Sequence, residues 1–204
     1  MKQPNNKEIS RCAWCQGNEL YQEYHDREWG VPCTDDKKLF EFIILESAQA
    51  GLNWLTILKR REAYRQAFAD FKPEMVARFT EERVDEIILA GKVVRHRGKI
   101  NSAINNAQVF LKIQEREGSF ANYLWRLVDY QPSPNSYRDP GKIPTTTETS
   151  IKLSRSLKAE GMTFFGPTIA YAYMQAMGLV NDHLISCFRH QQCAEYGHKS
   201  LRRQ

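Results

Sequence analysis

The stretch from Leu39 to Leu58 constrains this chain most. Phe40, Ile43, Ile44 and Leu45 give it a dense apolar surface, and Gly51 with Asn53 marks a break, so it reads as two buried helices or one bent helix. An element of that kind needs other helices packed around it. Thr34 followed by Asp35 and Asp36 sets a capping hydroxyl before carboxylates at the positive end of the helix dipole, which predicts the helix start. Pro73 suits a first helical position, and Thr80 with Glu81 and Glu82 opens a helix through Val84, Ile87 and Ile88 that Gly91 ends. From Ile100 onward, Ala103, Ile104, Ala107, Phe110 and Leu111 keep the three-and-four spacing of an amphipathic helix. Gly118 and Ser119 then separate it from a helix through Tyr123, Leu124, Leu127 and Val128.

The segment from Gln131 to Thr149 holds four of the eight prolines and reads as a long exposed connection between two lobes. A short helix from Ser150 to Glu160 and another from Pro167 to near Gly178 complete the pattern. No β-alternation, repeat or low-complexity tract stands out, so the expected fold class is all-α. The expected organisation of the 204 residues is a flexible tail over 1–10, one two-lobed domain over 11–190 and a polar tail over 191–204. No run of eighteen apolar residues exists to span a membrane. Met1 to Arg11 lacks an apolar export core, which makes the cytoplasm the expected location. Five cysteines, an odd number in a reducing compartment, point to free thiols or metal ligation rather than disulfides. The net charge of +5 is a mild bias toward an anionic partner and makes no nucleic-acid claim alone.

Three constellations carry chemistry. Cys12, Cys15 and His25 lie near the start, His183 and Cys187 near the end; the last two are four apart, so on a helix they share a face. Two thiolates and two imidazoles would close a tetrahedral zinc site with no position left for substrate, a structural clasp. Spacing does not decide between Cys12 and Cys15, and the competing reading is ordinary buried cysteines and satisfied histidines. The second constellation is LAGKVVRHRGKI. Gly91 and Gly98 suggest a tight hairpin whose N–H groups, with the next helix N-terminus, would hold a phosphate beside Lys92, Arg95, Arg97 and Lys99. No acid occurs from Lys92 through Lys112, although a solvated connector would look similar. The third joins Trp14, Tyr21, Tyr24, Trp29 and Trp54 to Glu46. Such aromatics are ordinarily core, but a carboxylate inside FIILESAQAGLNWL is costly without a donor or cation, and a cationic base would satisfy it and stack on the rings.

Taken together, CAWC, YHDREWGVP, LESAQAGLNWLTILKRREAYRQAF, LAGKVVRHRGKINSAINNA and FFGPTIAYAYMQAMGLVNDHLISC resemble the 3-methyladenine DNA glycosylase I family, in order from Cys12 to Cys187. The resemblance implies an all-α helix-hairpin-helix DNA glycosylase whose N- and C-terminal segments are joined by a structural zinc on Cys12, His25, His183 and Cys187. It implies a base pocket of Glu46, Tyr24, Tyr21 and Trp54, lined by Trp14 and Trp29, with Glu46 in the catalytic role. The implied reaction is hydrolysis of the N-glycosidic bond of 3-methyladenine in alkylated double-stranded DNA by a monomer, releasing the free base without lyase chemistry. Phosphates would be held by the hairpin from Gly91 to Lys99, and Gly51 and Leu52 would enter the gap left by the flipped nucleotide. Many helix-hairpin-helix glycosylases place an aspartate on the helix after the hairpin, whereas none occurs here between Gly98 and Asp129. That absence keeps open a zinc-stabilised DNA-binding protein without catalysis. A hydrolase using its metal to activate water is a third reading.

Overall fold

Asp35, not Thr34, caps the first long helix: its carboxylate accepts from Lys37 N at 3.0 Å. Asp36 has a different task. Its carboxylate reaches across the core to accept from Phe120 N and Ala121 N at 2.8 Å and from Gln114 Nε2 at 2.6 Å, capping a distant helix. Adjacent carboxylates at a helix start carry no sign of which one the tertiary structure will take.

The computed structural model describes residues 9–200, with side chains as far as 196. A 3₁₀ turn at Ala13–Cys15 precedes α1 (Glu19–Arg27), α2 (Asp36–Gln49), α3 (Trp54–Leu58) and α4 (Arg61–Ala67). There follow α5 (Pro73–Val76), α6 (Glu81–Ala90), α7 (Arg97–Glu117) and α8 (Phe120–Arg126). The last three are α9 (Glu148–Ala159), α10 (Pro167–Ala176) and α11 (Phe188–Ser200). The all-α expectation holds. Among the described residues, no helix is long and apolar enough to cross a membrane.

Helix α2 is buried from Leu39 to Ala48 and packs against α3, α7, α8 and α10. The break after it is real: Gly51 takes φ 78°, and Asn53 caps α3 by accepting from Leu55 N at 2.8 Å, so the two-helix reading is the correct one. Thr80 and Ser119 cap α6 and α8 as expected, and Gly91 ends α6 at φ 63°. Gly178 is required by packing as well as by φ 71°: a Cβ there would lie 2.7 Å from Pro32 Cα and closer still to Pro32 N and Val31 C.

The proline-rich connection is largely exposed, as expected, but it is also pinned along the C-terminal segment. Ser133–Pro134 pairs in parallel with Val180–Asn181, Asn135 Nδ2 donates to Asp182 at 2.6 Å, and Ile185 N donates to Tyr137 O at 3.0 Å. A two-residue bridge is too short to show as alternation. The boundary expected at 190 falls inside α11, of which Cys193 is buried while Gln191, Gln192, Glu195 and Tyr196 are exposed. Of the tails expected over 1–10 and 191–204, residues 1–8 and 201–204 lie outside the described residues.

Candidate functional site

Helix α2 carries two buried carboxylates with opposite fates. Glu41 is 6% exposed and meets Arg61 Nε at 2.7 Å. Glu46 is 4% exposed and has no hydrogen bond or ion pair among the described residues. Burial alone pushes its carboxyl up to about 8. An acid kept in that state is costly unless something polar enters beside it.

Glu46 faces a cleft of about 310 Å³, open on one side. Trp14, Tyr21, Tyr24, Trp29 and Trp54 line it, so the five aromatics singled out by sequence do converge on this carboxylate. Gln49, Ile143, Ala172 and Gln175, which sequence reasoning missed, complete the wall. Trp14 meets Tyr21 and Trp29 edge-on at 5.4 and 5.2 Å, and Tyr24 lies 5.5 Å from Trp54 and stacks on Phe42 at 6.2 Å. These contacts fix each ring before anything binds. Tyr21 is anchored further: its hydroxyl donates to Asn53 Oδ1 at 3.2 Å and accepts from Leu55 N at 2.9 Å. Burial and the nearby Glu46 hold Tyr24 well above the usual phenol range, so it stays neutral. Trp54 Nε1 is a buried donor without a partner among the described residues.

Beside the cleft, Cys12, His25, His183 and Cys187 bring one ligand atom each to within 4.8 Å of one another, all buried. Cys12 Sγ lies 3.7 Å from His183 Nδ1, and Cys187 Sγ lies 3.4 Å from His25 Nε2 and 3.6 Å from His183 Nδ1. A tetrahedron built on ordinary zinc–sulfur and zinc–nitrogen bonds has S···N edges of about 3.6 Å, so the set fits. Both tautomers are arranged for it. His25 Nδ1 donates to Asp26 at 2.7 Å, and His183 Nε2 donates to Trp29 O at 3.0 Å, which leaves His25 Nε2 and His183 Nδ1 to the centre. Arg11 clamps Asp26 from outside at 2.8 Å. Burial lowers His183, while the close approach of the two thiols lowers Cys187 and raises Cys12. Cys15 is excluded geometrically: its thiol donates to Cys12 O at 3.1 Å.

The hairpin joins α6 to α7 through Gly91 to His96, and His96 Nδ1 caps α7 by accepting from Lys99 N at 3.2 Å. Its basic residues do not act together. Arg97 pairs with Glu81 at 2.9 Å and with Asp85, and Lys99 Nζ donates to Ala48 O and Ala50 O at 2.8 and 2.7 Å. Neither is the free phosphate grip that the sequence suggested. Lys92 and Arg95 have no ion pair among the described residues. Arg95 lines a groove of about 400 Å³ with Leu52, Thr56, Arg60, Val93, Val94 and Gly91. Arg60 was missed because it stands thirty-five positions from Arg95; only folding sets it across the same groove. Gly98 lies within the first turn of α7, and Gly51 and Leu52 form an exposed tip at the groove's edge. For Gln175 a signal existed: a polar side chain inside the apolar run YAYMQAM invites the question asked of Glu46.

A family model described as Methyladenine glycosylase matches residues 14–190. DNA-3-methyladenine glycosylase 1 of Escherichia coli (strain K12) is 46% identical over 179 residues, which is 88% of this chain and 96% of that protein. A crystal structure of 3-methyladenine DNA glycosylase I superposes with a TM-score of 0.87 at 48% identity, covering 89% of this chain and 100% of that one. A tyrosine-to-phenylalanine variant of 3-methyladenine DNA glycosylase I in complex with 3-methyladenine is similar at a TM-score of 0.85 and 39% identity, over 88% and 97% of the two chains.

Proposed function

The chain belongs to the methyladenine glycosylase family, and from that premise we propose how its residues carry out the reaction. It is a DNA-3-methyladenine glycosylase: it hydrolyses the N-glycosidic bond of 3-methyladenine in alkylated DNA, releases the free base and leaves an abasic site. The non-catalytic alternative is set aside, because the relatives are glycosylases and one such structure holds 3-methyladenine.

The observation that carries the mechanism is Glu46 standing without a partner among the described residues in an aromatic cleft while Glu41, five residues earlier, is neutralised. Methylation at N3 leaves adenine positively charged, so the base departs as a neutral molecule with the electron pair of the C1′–N9 bond. The leaving group needs little help from an acid. What the protein supplies is a place for the extruded cation: aromatic faces at about 2 kcal/mol per desolvated contact, and a carboxylate to accept hydrogen bonds from its Hoogsteen edge. The incoming cation restores the charge on Glu46, and that charge also stabilises the developing oxocarbenium sugar while water adds to C1′ and gives its proton to solvent. Normal adenine brings no charge and gains least.

The substrate is double-stranded, and the protein acts as a monomer in the cytoplasm. Lys92, Arg95 and Arg60 hold phosphates together with the free N–H groups at the start of α7, and Leu52 at the tip beside Gly51 fills the space left by the flipped nucleotide. The metal is zinc. Cys12 Sγ, His25 Nε2, His183 Nδ1 and Cys187 Sγ would hold it with no vacant position, so it joins the termini and does not activate water. The deciding experiment is chromatographic identification of the base released from methylated duplex DNA. Release of 3-methyladenine is expected; none above the spontaneous rate overturns the reading.

A further inference from the structure

Charge and stacking do not distinguish one N3-methylated purine from another, because 3-methylguanine in DNA is a cation with the same faces. Discrimination needs groups that read an edge, and Glu46 is not the only acceptor in the cleft. Gln175, near the end of α10, lines the cleft, and its amide is not free to turn. Its Nε2 donates to Asp182 Oδ2 at 2.8 Å. Asp182 is 1% exposed and accepts as well from Tyr171 Oη at 2.6 Å and from Asn135 Nδ2 at 2.6 Å. Three donors converge on one buried carboxylate, so it serves as an acceptor only. Reversing the Gln175 amide would set Oε1 against a carboxylate oxygen and leave Asp182 short of a donor.

Gln175 Oε1 is therefore the amide atom left over, with no partner among the described residues, on the wall of the cleft that holds Glu46. We propose that Gln175 is a specificity-determining residue: Oε1, held in place by Asp182, accepts from the exocyclic amino group of an aminopurine and opposes the carbonyl oxygen that an oxopurine carries at that position. The inference rests on the glycosylase reading and deepens it. Among N3-methylated purines, the substrate class is the one with an amino group, and not an oxygen, at C6.

The test measures both bases released from the same methylated DNA. Gln175→Met, close in length but without the acceptor, is expected to lower the ratio of 3-methyladenine to 3-methylguanine release about tenfold, the effect of one lost hydrogen bond. Asp182→Asn lets the amide turn and shifts the ratio the same way without touching the base. Variants that slow both bases in proportion, or leave the ratio unchanged, overturn the assignment and make Gln175 structural. Should either variant fold poorly, the wild-type protein decides. Tryptophan fluorescence is expected to report at least roughly tenfold tighter binding of free 3-methyladenine than of free 3-methylguanine, and equal affinities reject the proposal. A wild-type protein that releases neither base defeats the glycosylase reading, a distinguishable result.

Discussion

The ammonium of Lys99 donates to the carbonyl of Ala48 at 2.8 Å, and thereby closes the end of the helix that carries Glu46 two residues earlier. A second bond, to Ala50 O at 2.7 Å, extends the grip to the turn before Gly51 and Leu52. A cation on the last carbonyls of a helix satisfies orphan acceptors and complements the dipole. The hairpin thus buttresses both the pocket carboxylate and the exposed tip.

Lys99→Met is accordingly expected to destabilise the protein by about 1–2 kcal/mol and to reduce excision more than DNA affinity. Urea unfolding and single-turnover release measure the two. The slope of log affinity against log salt should not change; a slope shallower by about one would restore Lys99 to the phosphate contacts.

Arg60 and Arg95 behave differently, since neither has an ion pair among the described residues and both line the groove beside Leu52. Replacing either with alanine should weaken duplex binding for all sequences alike and flatten the salt slope by about 0.9. Arg97→Ala is the control: with Glu81 and Asp85 already engaged, it should leave the slope where it was.

Glu46 sets a pH dependence with a definite sign. Its folded value of about 8 lies above the ordinary 4.5, so its contribution to stability is complete below pH 4.5 and is lost as pH rises through 8. Relative to wild type, Glu46→Gln should be more stable at pH 9 by about 1–3 kcal/mol and no more stable at pH 4. Excision needs the carboxylate, so wild-type kcat/KM should climb toward pH 8 and level there, and the variant should lose about a hundredfold. A stability difference independent of pH would contradict the burial.

Metal analysis should find one zinc per chain. Cys187→Ala, or chelation, is expected to lower Tm by about 5–10 °C through loss of the link between terminal segments. The fraction that remains folded should still excise 3-methyladenine. Immediate loss of turnover with no change in Tm would instead mean that the metal takes part in the chemistry.

Gly178→Ala tests the seam between the segment after α1 and the end of α10. The added methyl would collide with Val31 and Pro32 backbone at a residue already at φ 71°, and should cost at least about 2 kcal/mol by thermal or urea unfolding.

What could be read without coordinates was whatever one residue type or one short spacing encodes. Thr80, Ser119 and Gly91 mark helix ends because capping is a local bond or a local φ. Glu46 stands out because a carboxylate is anomalous in an apolar run whatever surrounds it; His183 and Cys187 do meet, but across a turn before α11 and not on the one helix face that their spacing suggested. Local patterns therefore mark the helices from α2 to α10 other than α4, the ligand types and the pocket's anomalous acid, while α1, α4 and α11 carry no such signal. Tertiary structure alone decided which charges are spent and which are free. Asp36 caps α8, Lys99 caps α2, Arg97 is neutralised, Arg60 joins Arg95, and Asp182 binds the amide of Gln175 on the cleft wall. The reason is physical: whether a polar group is available depends on partners that come from distant parts of the chain, and no local pattern along the chain records who meets whom.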